Sequence, residues 1–291
     1  MLKSLQQELD FFKKHLPFVE IDDIVNSHFW QLPVLRNYFR TVLMDARAFQ
    51  TSPVTASPAN CTFAVHGIHA LAPVGPAFGD QLPWFEALIR PHGHFNRWSP
   101  ADFIDRLYLE RPTLHTDLEV LRRVTGWLMA RVERTRVSVN THPESLTSRV
   151  FVDQVLDAQK AAMRQGHSIC LELIEYGRCD EKSSLIDNAR ELQRAGILIA
   201  LDDFGSRINC FDLCAAGIVD LLKIDLRLID GLESDRNQRA IVDSILTLGR
   251  GLNAGVVAEG VETPEQVRVL KDMGVHYAQG FHYDKPQRLE I

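Results

Sequence analysis

No apolar run in the 291-residue sequence approaches the roughly 20 residues that a membrane-spanning helix requires. The opening Met-Leu-Lys-Ser-Leu-Gln-Gln-Glu-Leu-Asp has no hydrophobic core of the kind that directs secretion. Cysteine is scarce, with five residues, an odd number, and no Cys-x-x-Cys pair. A disulfide framework is therefore not expected, and reduced thiols in a cytoplasmic protein are. Cys210 and Cys214, four apart, read as packing residues rather than a redox couple. A basic excess is also missing. Lys and Arg number 32 against 38 Asp and Glu, a formal charge of −6, which argues against a general DNA- or RNA-binding surface.

What is present is ordinary in bulk and unusual in one place. A hydrophobic fraction of 45% and a charged fraction of 24% are those of a soluble globular chain. The unusual stretch is Ile197-Leu-Ile-Ala-Leu-Asp202-Asp203-Phe-Gly205, a wholly apolar run ending in two adjacent carboxylates before a glycine turn. Such a run reads as a strand buried on both faces, as in a parallel sheet covered by helices. Two neighbouring carboxylates there repel each other and lose hydration, a cost that bound cations offset. The alternative is an Asp-Asp turn that caps the next helix.

Residues 1–50 read as a small helical segment. Leu2, Leu5, Leu9, Phe12 and Leu16 recur at alternating three- and four-residue steps, and a second helix is expected from Pro33 to about Phe49. Residues 51–60, rich in Ser, Thr and Pro, read as a linker, leaving 61–291 as the main domain. In that domain eight strands are expected: Thr62–Ile68, Trp84–Ile89, Val137–Asn140, Ile169–Ile174, Ile197–Asp202, Leu221–Ile224, Val256–Glu259 and Tyr277–Phe281. Between them lie amphipathic helices with clear ends. Ser99-Pro100 opens one, Thr263-Pro-Glu-Gln266 opens another that Gly274 closes, and Ile241, Ile245, Leu248 and Leu252 mark a buried face. Repeated strand–helix alternation predicts an α/β fold with a closed (β/α)8 barrel of the TIM type. Leu71–Pro83 is too irregular for a crossover helix, so one of the first two strands is expected to run antiparallel.

Near the C-terminal end of each later strand stands a polar residue: Glu86, Asn140, Glu172, Asp202 with Asp203, Lys223, Glu259 and Gln279. In a barrel these ends converge on one face, where active sites lie. Five carboxylates meeting there call for compensating charge, and hard oxygen ligands select two Mg²⁺ or Mn²⁺ ions. His66/His69 and His92/His94 also have metal-ligand spacing, but no further His or Cys accompanies them, so packing roles are expected.

Residues 60–291 resemble the EAL domain, the cyclic di-GMP phosphodiesterase family. The resemblance rests on Glu86-Ala-Leu88 with Ile89-Arg90, Val139-Asn140 with Glu144-Ser-Leu146, and Leu171-Glu172-Leu-Ile-Glu175. Asp202-Asp-Phe-Gly205, Leu222-Lys-Ile-Asp225, Ala258-Glu-Gly-Val-Glu262 and Gln279-Gly-Phe281 through Lys285-Pro286 complete the set in order. The resemblance implies a modified barrel with one reversed strand. It implies that Glu86, Asn140, Glu172 and Asp202 hold one metal ion, and that Asp202 bridges to a second completed by Asp203 and Glu259. By the same resemblance Lys223 holds or deprotonates the attacking water, and Gln279 orients water or phosphate. Glu175 anchors a loop and Glu262 supports the metal shell, while Leu88 and Arg90 meet the substrate, Arg90 at a phosphate. Near two cations, Lys223 is expected to be pushed towards its neutral form.

Two departures from the family pattern bear on function. The loop after Asp-Asp-Phe-Gly is usually Thr-Gly-Tyr-Ser-Ser but here runs Ser206-Arg-Ile-Asn-Cys210. The first strand carries Phe63-Ala-Val-His-Gly-Ile68 in place of Tyr-Gln-Pro-Ile, losing a Gln that helps to hold a guanine. The expected activity is hydrolysis of cyclic di-GMP to linear pGpG, with a non-catalytic receptor or partner-binding barrel as the alternative. Hydrolysis of another cyclic dinucleotide is a third reading, resting on the altered first strand. A homodimer is expected from the resemblance and the apolar seam of the first helix, together with a protein partner for the N-terminal helices.

Overall fold

A computed structural model describes residues 56–71, 82–174, 182–205 and 211–289. These fall in the second of the chain's two compact units, Ala56–Ile291. The helices expected within residues 1–50, and linker residues 51–55, lie outside the described residues. Residues 56–60 are packed on the barrel. Ala56 is fully buried and its N–H donates to Glu110 Oε2 at 2.6 Å, while Arg123 donates to the Pro58 carbonyl.

Alternating runs of β-branched and apolar residues form eight barrel strands. These are β1 (Cys61–Ala70), β2 (Trp84–Pro91), β3 (Arg136–Thr141), β4 (Ser168–Leu173), β5 (Leu198–Phe204), β6 (Leu221–Ile224), β7 (Gly255–Ala258) and β8 (Tyr277–Ala278). The order around the barrel follows the sequence from β2 to β8, then β1, which pairs back onto β2. Strands β2 to β8 run parallel, and β1 is antiparallel to both its neighbours. The reversed strand expected from the connection without a crossover helix is β1.

The helices α1 (Pro100–Glu110) and α2 (Thr113–Met129) follow β2, α3 (Arg149–Arg164) follows β3, and α4 (Lys182–Arg194) follows β4. The short α5 (Phe211–Ala215) and α6 (Leu226–Ile229) follow β5 and β6, with α7 (Arg236–Leu252) before β7 and α8 (Pro264–Met273) after it. Their ends follow from the sequence. Ser99 accepts from the Asp102 N–H at the start of α1. Thr263 and Gln266 satisfy each other's backbone donors in a capping box, and Gly274, at φ 84°, ends α8 where a side chain would be strained.

Three expected details differ. The buried face of α7 is Val242, Ile245, Leu246 and Gly249, whereas Ile241 is exposed. A 3.6-residue period read one position out of phase selects the neighbouring stripe. Strand β8 stops at Ala278, because the next residues bond to the loop after β7 instead, Val261 N–H to the Gln279 carbonyl and His282 N–H to the Val261 carbonyl. A ninth strand, β9 (Gln287–Arg288), adds to the outer part of β1.

Inside the barrel, period-two alternation stacks side chains in layers. Ile68, Trp84, Cys170, Ala200, Leu221, Val257 and Tyr277 pack as one buried cluster. Trp84 meets Tyr277 edge to face at 5.1 Å, and its indole N–H donates to Ser138 Oγ at 2.9 Å. Each such large side chain contributes about 1.5–3 kcal/mol on burial, so the layer makes a rigid floor. Two residues further along each parallel strand comes the next layer, and there the chemistry changes.

Candidate active site

The layer above the apolar floor consists of Glu86, Asn140, Glu172, Asp202, Lys223, Glu259 and Gln279. Lys223 lies at its centre, 1% exposed. Its Nζ is 2.5 Å from Glu172 Oε2, 2.7 Å from Glu259 Oε1, 2.8 Å from Asp202 Oδ1 and 3.4 Å from Glu86 Oε2. Glu86 is held from two more sides, by Asn140 Nδ2 on Oε1 at 2.9 Å and Gln279 Nε2 on Oε2 at 3.0 Å. Strand β5 bulges between Leu201 and Phe204, which places Asp203 at φ 52°, in the left-handed region. Non-glycine residues enter that region rarely. The bulge brings both adjacent carboxylates to the same rim, where strict alternation would send one outward.

The charges here do not balance. Burial alone would lower the Lys223 ammonium, but Asp202, Glu172, Glu259 and Glu86 outweigh it and hold the group well above its ordinary range. One cation cannot satisfy every carboxylate around it. Burial raises Glu86, yet Lys223, Asn140 and Gln279 bring it below the ordinary value, so it keeps its charge. Burial and the neighbouring Glu86 and Asp202 push Glu172 up to about 8 against the pull of Lys223, and Glu259 is also driven well up, mainly by burial. Asp203 is raised to about 6 by burial and by Asp202 and Asp225. The four carboxylates hold Lys223 as the ammonium, whereas the shift towards neutrality expected beside two cations concerns the ion-loaded layer.

The residues present fit divalent cations. Carboxylate oxygens of Asp202, Asp203 and Glu259 lie within 4.8 Å of one another. Buried Glu172 Oε1 has no hydrogen-bond partner, an orphan acceptor aimed at nothing the protein supplies. Hard oxygen donors of this kind suit Mg²⁺ or Mn²⁺.

Of the other sequence candidates, Leu88 and Arg90 follow Glu86 on the same face of β2 at two-residue steps. Arg90 is half-buried and its Nη1 donates to the Ile89 carbonyl at 2.9 Å. Glu262 is not brought into the layer. It is exposed, and its N–H donates to Gln266 Oε1 at the start of α8. Glu175 and the loop Ser206–Cys210 lie outside the described residues. His66 and His69 both meet Asp284: His69 Nε2 lies 2.7 Å from its Oδ2, and His66 Nε2 lies 3.1 Å from its carbonyl and 3.5 Å from Oδ1.

Two residues that the sequence reading named but did not place at the site lie at or beside the layer. His66, 8% exposed, is the register partner of Glu86 across the β1–β2 ladder and completes the layer from the reversed strand. The signal was there, but residues on an antiparallel strand must be counted backwards from the floor residue Ile68. Asp225 follows Lys223 by two, hence on the same face. It is 4% exposed, bound by Arg227 at 3.0 Å through Nε, and contributes to the field on Asp203.

The EAL domain family matches residues 68–286. "Probable cyclic di-GMP phosphodiesterase PdeG" of Escherichia coli K12 is 29% identical over 201 residues, covering 68% of this chain and 39% of that protein. The chain thus spans about two fifths of the length of that relative, and a smaller share of the "Cyclic di-GMP phosphodiesterase PdeB" of Shewanella oneidensis, 23%, which is 29% identical over 66% of this chain. Among solved structures, an EAL domain protein from Listeria monocytogenes superposes with a TM-score of 0.65 at 24% identity, covering 78% of this chain and 89% of that one. At that identity the likeness carries the fold.

Proposed function

The chain belongs to the EAL-domain family, and from that premise we propose that it hydrolyses cyclic di-GMP to linear pGpG as a metal-dependent phosphodiesterase. One observation carries the reading: Lys223 and six other polar residues, from the ends of seven separate strands, meet in a single layer. Glu86, Asn140, Glu172 and Asp202 would hold one Mg²⁺ or Mn²⁺ ion, and Asp202, Asp203 and Glu259 a second. Bound there, the ions supply a lowered pKa for water and neutralise charge on phosphoryl oxygens.

The chain's own residues do the rest. Lys223 Nζ, engaged by four carboxylates in the absence of ions, orients the attacking water and faces the phosphoryl oxygens with positive charge. Gln279, immobilised against Glu86, orients water or phosphate, and Arg90 and Leu88 line the way in on β2. Water adds to phosphorus in line, one P–O3′ bond breaks, and the sugar oxygen leaves as a hydroxyl. One ring opening yields pGpG with a 5′-phosphate. Glu175 is assigned the role of loop anchor, whereas the exposed position of Glu262 does not support a brace for the metal shell.

The named activity of the relatives PdeG and PdeB supports this substrate, as does the cyclic di-GMP-bound EAL structure from Vibrio cholerae. The deciding experiment is breakdown of cyclic di-GMP with added Mg²⁺ or Mn²⁺. Glu86→Ala and Lys223→Ala should each lower turnover at least about a hundredfold while circular dichroism stays barrel-like. Wild-type rates in either variant would end the proposal. Tight binding of cyclic di-GMP by the wild type without hydrolysis would establish the receptor alternative. Competition by cyclic di-AMP separates the two cyclic dinucleotides.

A further inference from the structure

The ladder that joins the reversed strand β1 to β8 is short. Only two residue pairs, His69–Ala278 and Ala70–Tyr277, join β1 to β8, against eight on the other side of β1. Gln279, which must hold Glu86, lies one residue past the end of that ladder. The turn that follows is tied back to β1 by a side chain. The Asp284 carboxylate accepts from the Gly67 N–H at 3.2 Å through Oδ1 and pairs with His69 Nε2 at 2.7 Å through Oδ2. The Asp284 carbonyl accepts from His66 Nε2 at 3.1 Å, and the His69 ring stacks on Tyr283 at 4.5 Å. Gly67 is required for the grip, since a Cβ there would stand 2.4 Å from Asp284 Oδ2. Within the turn, the Asp284 N–H reaches back to the Gly280 carbonyl at 3.4 Å, next to Gln279.

We propose that Asp284 is a positioning residue. By clamping the turn after β8 onto β1 it fixes both His66, the register partner of Glu86, and Gln279, which donates to Glu86, and so sets the affinity of the layer for divalent cations. The proposal rests on the two-ion reading above and adds a group remote from the ligands to it. The spacing of His66 and His69 then has its own explanation: from one strand they reach one acidic residue, His66 at its carbonyl and His69 at its carboxylate.

The test uses the full chain, with Mn²⁺ binding read by electron paramagnetic resonance of the free ion and amide hydrogen exchange followed across residues 277–286. Asp284→Ala should weaken Mn²⁺ binding about tenfold and speed exchange at 279–284, with His69→Ala showing about a third of that effect. Asp284→Asn should restore both, because the amide oxygen still accepts from Gly67 and its nitrogen can donate to a His69 lone pair. Wild-type Mn²⁺ affinity in Asp284→Ala overturns the proposal. So does exchange that rises equally in β3–β5, which would mark a merely structural role. A wild type that binds no Mn²⁺ sinks the two-ion site instead, and exchange at 279–284 in the two variants then decides whether the clamp holds the turn.

Discussion

Replacing Lys223 by Met would leave Glu86, Glu172, Asp202 and Glu259 facing one another with no cation between them. Losing one partner of a buried ion pair typically costs about 3–5 kcal/mol, because the remaining charge is stranded. The metal-free variant should therefore melt several degrees below wild type, and Mn²⁺ should recover more stability in it than in wild type, by filling the vacated charge. Thermal melts with and without Mn²⁺ measure both, and a melting temperature that ignores the substitution would contradict the central placement of Lys223. At this scale much was legible beforehand. Glu86, Glu172 and Lys223 each interrupt an apolar strand, and a charge in such a place needs a partner. His66 was harder to place, since its strand runs against the others and its height must be counted backwards from Ile68, and Asp225 lies just past the end of β6.

A buried carboxylate on helix α2 ties it to α1 and to the turn after β3. Asp117, 1% exposed, accepts from Tyr108 OH at 2.6 Å and the His142 N–H at 2.9 Å, pinning the turn that follows Asn140. Burial pushes Asp117 up to about 6, against the pull of Tyr108, Ser145 and the His142 N–H and with a small push from Glu144. The native state thus holds this proton more tightly than the unfolded chain. Its contribution is fully present below about pH 4 and is lost as pH rises to about 6, on the order of 3 kcal/mol. Urea midpoints between pH 4 and 7 should show that decline in wild type and a flatter profile in Asp117→Asn. Parallel profiles would remove Asp117 from the explanation. Element boundaries were readable where local chemistry sets them, as at Thr263 and Gly274. They were misread where a distant partner does, as in β8, whose continuation is claimed by the loop after β7.

Among the described residues no helix is long and apolar enough to cross a membrane. Ala56–Ile291 forms its own compact unit, so a fragment starting at Ala56 should unfold in one cooperative step with the denaturant midpoint of the corresponding step in the full chain. A broad or much earlier transition would show that the barrel depends on residues 1–55. We propose that those residues serve as a helical extension promoting a homodimer or binding a protein partner, which sedimentation of the fragment beside the full chain would test.

The amino-acid order alone determined the barrel, its reversed strand and the set of side chains near the ends of β2 to β8, because period and polarity are local properties of a strand. Only the closed tertiary structure decided that Asp203 joins Asp202 through a bulge, that His66 enters from the opposite direction, and that four carboxylates surround Lys223. Each of those depends on registers and fields set by strands far apart in the chain, and electrostatic energy is a property of the assembled layer, not of any residue within it.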